Sequence, residues 1–161
     1  MSINFQVQTR NDIYHLILEN PGIYPSEAAR LLKISTQLAD YHILYLERNN
    51  LITVERQKGY KACFVKDLIS SEDKNILSII SRRNPLRIVL YLLENPGSKN
   101  KDICRDLDIK TPNLSYHLRV LLENGIITRS DVKKMYSVSN KKKITNLLLK
   151  FKPDLLKNTN I

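Results

Sequence analysis

Two periods of apolar and polar residues run along this chain, and each occurs twice. Leu114, Leu118 and Leu121 stand at i, i+4 and i+7, one face of a helix, and Asn124-Gly125 then leads straight into Ile126-Ile127-Thr128. This spacing predicts a short helix handed directly to a strand. Thr111 is placed to cap the helix, Pro112 suits its first turn, and Gly125 can take the left-handed conformation that ends it. With the leucines turned inward, Asn113, Ser115, Tyr116 and Arg119 project the other way.

The same pattern appears earlier in the chain. Residues 13–53 align without gaps onto residues 88–128 at an offset of 75, with sixteen identities in forty-one positions. A duplicated unit is the simplest explanation. Each copy predicts a first helix, about Asp12–Glu19 or Leu86–Glu94, stopped by Asn-Pro-Gly. His15 is expected to pack inward from the first of these. A second helix follows, Ser26–Lys33 or Lys101–Asp108, with Ala28, Leu31 and Leu32, or Ile103 and Leu107, facing inward. The third spans Gln37–Asn49 or Pro112–Asn124, and two short strands come next, Leu51–Arg56 with Tyr60–Val65 and Ile126–Ser130 with Met135–Val138. Ser71-Glu72-Asp73 caps one closing helix, and Lys141–Phe151 forms the other, with Ile144, Leu147, Leu148 and Phe151 along one face. The expected fold is mainly α with small β-hairpins, in two units, residues 1–83 and 84–161.

The phrase Leu114-Ser115-Tyr116-His117-Leu118-Arg119-Val120-Leu121, with Glu123-Asn124-Gly125-Ile126-Ile127 after it, resembles the recognition helix and following strand of winged helix-turn-helix regulators of the ArsR and MarR type. The match to the ArsR-type pattern is close. Through the repeat, the resemblance extends over residues 12–151, and such tandem arrangements look especially like archaeal regulators. It implies two tandem winged helix-turn-helix domains, with Gln57-Lys58-Gly59 and Asp131-Val132-Lys133-Lys134 as wing tips, a double-stranded DNA partner and a role in transcription regulation. Two arrangements are compatible with it, an intrachain pseudo-dimer or a homodimer. ArsR-type sensors often carry a Cys-x-Cys metal site on the helix before the recognition helix. Here that helix reads Asp102-Ile103-Cys104-Arg105-Asp106, and one thiol does not make that site.

Composition sharpens this. Hydrophobic residues at 42% and charged residues at 26% fit a packed fold rather than a disordered chain. The stretch MSINFQVQTR lacks the apolar run of a signal peptide, and no later stretch approaches the roughly 20 apolar residues of a membrane span, so a cytoplasmic protein without a membrane partner is expected. Cys63 and Cys104 are expected to be small buried hydrophobes. The net charge of +10 is unevenly placed: residues 1–75 hold 9 Lys+Arg and 9 Asp+Glu, and residues 76–161 hold 17 and 7. The basic half is the expected partner of a polyanion.

If the second third-helix enters a major groove, Arg119 can pair with guanine and Asn113 with adenine, supported by Thr111, Ser115 and Tyr116. Lys110, Arg129, Lys133 and Lys134 would bind phosphate or the adjacent minor groove; the bland alternative is a solvated polar face. In the first unit Asn113, Ser115 and Arg119 are replaced by Leu38, Asp40 and Leu44. Gln37, Tyr41, Arg56, Lys58 and Lys61 are the weaker DNA candidates there. Leu38 and Leu44 mark either a protein contact or packing within the chain. Tyr41 and Tyr116 either stack on the core or bond a phosphate. His42 and His117 read as packed, hydrogen-bonded side chains. Leu155 and Leu156, beyond Pro153, are candidates for contact with another chain.

No Gly-rich phosphate loop, HExxH motif or His–carboxylate pair at ligand spacing occurs, so no enzyme, cofactor or metal is expected. The competing expectation is a winged-helix scaffold for protein contacts in a nucleic-acid-associated complex; duplex RNA is a further alternative partner. Target sequence, effector and direction of regulation are not encoded in any motif.

Overall fold

The computed structural model describes residues 2–57 and 59–156, and it is mainly helical with short antiparallel strands. The chain divides into two compact units, residues 1–78 and 79–161, with the division inside a helix. The first unit contains α1 (Ser2–Glu19), α2 (Pro25–Leu32), α3 (Thr36–Arg48), β1 (Ile52–Gln57), β2 (Tyr60–Val65) and most of α4 (Ser71–Ile80). The second contains α5 (Arg83–Glu94), β3 (Ser98–Lys99), α6 (Asn100–Leu107), α7 (Thr111–Glu123), β4 (Ile127–Arg129), β5 (Met135–Val138), α8 (Lys141–Phe151) and α9 (Pro153–Leu156). No helix among the described residues is long and apolar enough to cross a membrane.

Each unit is built on an equivalent core. In the first, Ile13 and Ile17 of α1, Ala28 of α2, Ile43 and Leu46 of α3, Ile52 of β1 and Cys63 of β2 pack together. At the offset of 75, Ile88, Leu92, Ile103, Leu118, Leu121 and Ile127 are likewise buried. Backbone punctuation matches as well. Lys33 and Asp108 end the second helices in the left-handed conformation, and Asn50 and Gly125 adopt it after the third. Gly is the residue with no Cβ penalty there, and Asn tolerates it better than most.

The alignment continues into the hairpins, but at a different offset. Ile52 pairs with Val65 and Ile127 with Val138, so the second hairpin is two residues shorter from strand start to strand end. Tyr136 thereby takes the place of Cys63: Gly22 N–H donates to the Cys63 carbonyl at 2.8 Å, and Gly97 N–H to that of Tyr136 at 2.9 Å. This also creates β3, a third strand beside β5, matched in the first unit by a single bridge from Ile23 to Cys63. In the sequence these stretches carry only the signal of a helix breaker.

Other expectations are corrected. α1 starts ten residues before Asp12; within the added stretch Thr9 is buried and the Arg10 guanidinium lies 3.6 Å from the Tyr45 ring centroid on α3. α5 starts at Arg83 rather than Leu86, with Pro85 in its first turn, where no amide hydrogen is needed. Thr111 is the first helical residue and not the cap. Lys110 holds the cap position without a side-chain bond, and Thr111 Oγ1 lies 3.7 Å from Cys104 Sγ. In α3 the equivalent cap is intact, Ser35 Oγ accepting from Leu38 N–H at 3.1 Å. Leu31 and His15 face outward, and Cys104 is only half-buried. α4 is capped by Ser70, whose Oγ accepts from Asp73 N–H.

Candidate nucleic-acid interface

α7 is a 13-residue helix, about 20 Å long, and its buried stripe of Leu114, Leu118 and Leu121 fixes its rotation. Asn113, Ser115 and Arg119 are exposed on the opposite side, with Tyr116 half-buried at their edge. The Tyr116 ring contacts the His117 ring edge-on, centroids 5.3 Å apart, and lies 5.8 Å from the Arg119 guanidinium, giving that long side chain an aromatic neighbour. No acid occupies the first turn, so the partial positive charge of the helix start is not offset.

Side-chain bonds tie the two preceding helices, α5 and α6, to each other. Arg87 of α5 donates to the Leu107 carbonyl at the end of α6, 2.5 Å away, satisfying a helix-end acceptor. Tyr91 O–H donates to Asp106 at 2.7 Å, and Arg105 donates to the same carboxylate. Those two bonds, Arg105's first, keep the Asp106 carboxyl below the usual carboxylate range. His117 Nε2 lies 3.4 Å from the Asn84 amide. Burial, and then the charge of Arg82, lowers the His117 pKa and favours a neutral ring.

The second unit's wing runs from β4 through residues 130–134 to β5. Ser130 closes the turn, its Oγ accepting from Lys133 N–H and its carbonyl from Lys134 N–H. Lys134 is left-handed there, with φ of 52°. Arg129 lies 5.6 Å from the Tyr136 ring centroid. Lys110, Arg119, Arg129, Lys133 and Lys134 are all exposed, and none forms an ion pair among the described residues. Two further exposed cations, Lys99 and Lys101, flank the start of α6; no helix-face pattern marked them in the sequence.

The first unit places the same elements differently charged. Arg56 of β1 grips Glu47 of α3 through two bonds of 2.7 and 2.8 Å, and Lys61 of β2 lies 3.3 Å from Asp40. Arg56's hydrogen bonds are the largest influence holding the Glu47 carboxyl below its ordinary pKa. Sequence spacing did not reveal these pairs, which join residues nine and twenty-one positions apart. Lys58 lies outside the described residues. Tyr41 and Leu44 are exposed and Gln37 lies beside them, whereas Leu38 is half-buried rather than exposed. His42 is fully buried, yet neither ring nitrogen has a hydrogen-bond partner among the described residues, contrary to the expected hydrogen-bonded histidine. Burial, then the Arg10 charge, lowers its pKa.

Cys63 is fully buried, and burial pushes its thiol up to about 12, which leaves it inert as a nucleophile. Among the described residues no group of three or more His, Cys, Asp or Glu is placed to hold a metal ion. Ile144, Leu147 and Leu148 of α8 are buried, while Leu155 is exposed and Leu156 half-buried.

Residues 83–129, from the start of α5 to the end of β4, match the family described as bacterial regulatory protein, arsR family. The chain is also 29% identical over 121 residues to a protein of Methanocaldococcus jannaschii named as an uncharacterized HTH-type transcriptional regulator. That similarity covers 74% of this chain but only 30% of the relative's length. The arsR-type match thus falls on the three helices and first wing strand that carry the exposed Asn113, Ser115 and Arg119.

Proposed function

We propose that this chain is a sequence-specific double-stranded DNA-binding transcriptional regulator made of two tandem winged helix-turn-helix units, with bases read mainly by the second. One observation carries the reading: α7 exposes an amide, a hydroxyl and a guanidinium on one face, flanked by cations that form no ion pair among the described residues. Asn113 and Arg119 are the base-reading groups, through adenine and guanine edges in the major groove. Thr111, Ser115 and Tyr116 assist at the same surface, and Lys110, Arg129, Lys133 and Lys134 hold the phosphates on either side. The arsR-type match over residues 83–129 and the relative's name support this assignment.

Titrating duplex binding with salt tests it. Affinity should fall steeply, with a log–log slope of about 0.9 per phosphate neutralised. Once a bound site has been selected from random duplex, Arg119→Ala should weaken that site more than random DNA. An equal loss on both would remove Arg119 from base reading.

A second reading, a scaffold for protein contacts, is favoured by exposed Tyr41 and Leu44 on α3. Duplex binding that barely responds to salt and to the α7 substitutions would select it.

A further inference from the structure

We infer that Asp40 and Glu47 hold the first unit off DNA by clamping its wing cations against its own third helix, so that two carboxylates decide which unit engages the duplex. This rests on the proposed assignment of DNA contact to the second unit. Asp40 and Glu47 are seven residues apart, two turns along α3, and therefore share a face. Arg56 and Lys61 are directly opposite each other in the β1–β2 pairing, which turns both side chains to one side of the hairpin. The two faces meet in the Glu47–Arg56 and Asp40–Lys61 pairs, at 2.7 and 3.3 Å.

A phosphate approaching either cation meets a carboxylate at nearly the same distance, well within the roughly 8 Å over which charges act at physiological salt. Attraction and repulsion then nearly cancel. A cation already balanced by an acid also releases little counterion on binding, and that release drives most non-specific affinity. Residue counts alone understate the contrast: residues 35–65 contain four Lys+Arg and three Asp+Glu, and residues 110–138 contain five and two. Placement makes the larger difference. At the offset of 75, Asp40 and Glu47 correspond to Ser115 and Leu122, neither of which can pair with a wing cation. The bond from Arg56 lowers the Glu47 pKa, so this carboxylate loses its charge only at a more acid pH than an unpaired one would.

The test uses the full chain with the second unit silenced by Arg119→Ala, Lys133→Ala and Lys134→Ala, and a short random-sequence duplex as probe. Adding Asp40→Asn and Glu47→Gln keeps the side-chain shapes and removes both charges; circular dichroism checks that the helices remain. The salt slope should steepen by about two, so that roughly tenfold more affinity is lost between about 50 and 200 mM salt. Arg56→Gln and Lys61→Gln on that background should cancel the gain. The inference is overturned if slope and affinity do not change, if the gain survives loss of Arg56 and Lys61, or if Asp67→Asn with Glu72→Gln, an equal change of charge elsewhere in the unit, produces as large a gain. Failure of the proposed function would show separately, as a silenced second unit that binds duplex as well as the unsubstituted chain does.

Discussion

The third helices of the two units, α3 and α7, each have 13 residues, bury three equivalent positions and are followed by a left-handed residue, yet their outer surfaces differ in kind. Outside α7 lie Asn113, Ser115 and Arg119 beside free wing cations. Outside α3 lie Tyr41 and Leu44 beside cations already bound to Asp40 and Glu47. Inward positions are held by packing, where even one methylene is felt, and outward positions change at little cost in stability. Two similar frameworks can therefore carry different surfaces, one of them apolar and acidic. The difference between the two surfaces lies in a few side chains and in what they pair with.

The largest effects should fall on the shared framework. Leu46→Ala and Leu121→Ala occupy the same place in the two cores and should each cost about 2–5 kcal/mol in urea unfolding. If one costs far less than the other, the cores are not equivalent. Next, Arg119→Ala should remove about 1–3 kcal/mol of discrimination between selected and random duplex in a binding assay. Leu44→Ala, its counterpart, should remove none. Gly125 has φ of +66° with nothing within 4 Å of an added Cβ, so Gly125→Ala should cost about 1–2 kcal/mol from conformation alone. Asn50→Gly, at the equivalent position, should leave the melting temperature level or slightly raised.

A smaller effect separates the two histidines. His42 has a folded pKa below its ordinary value of about 6.5, so the unfolded chain takes up the proton first. The stability that this contributes is fully present above that value and is lost as pH falls through the folded one. His42→Leu should flatten this acid-side decline in a series of thermal melts, with no penalty for lost hydrogen bonds, since neither ring nitrogen has a partner among the described residues. His117→Leu abandons the Asn84 contact and should show a net loss at pH 7. The smallest expected change is in binding: Lys133→Ala should lower the salt slope by about 0.9 for selected and random duplex alike.

Much of the framework was legible in the sequence. Leucines at helical spacing placed α7, and Asn-Pro-Gly placed the ends of α1 and α5, because periodicity and chain breakers act locally. The outward positions of Asn113, Ser115 and Arg119 followed from the inward leucines by helix geometry alone. Local signals failed where distant residues decide. Residues 2–11 form helix although they lack a clear apolar stripe at helical spacing, and Arg10 and Thr9 in that stretch pack within the unit. Strand β3 depends on which backbone groups meet across about forty positions. Lys110 stands where the first unit has the short acceptor Ser35, so the nearest cap-type residue, Thr111, falls inside the helix.

For this protein the sequence by itself determined the order of helices and hairpins, the inward faces and the excess of positive charge in the second half, since each is a property of neighbours along the chain or of composition. Only the tertiary structure decided which of those charges are free. Arg56 and Lys61 look as available in the sequence as Lys133 and Lys134, and they differ because folding brings Glu47 and Asp40 to within about 3 Å of the first pair, while the second forms no ion pair among the described residues. Charge is fixed by residue type, but the field that a phosphate meets depends on distances, and the fold sets those.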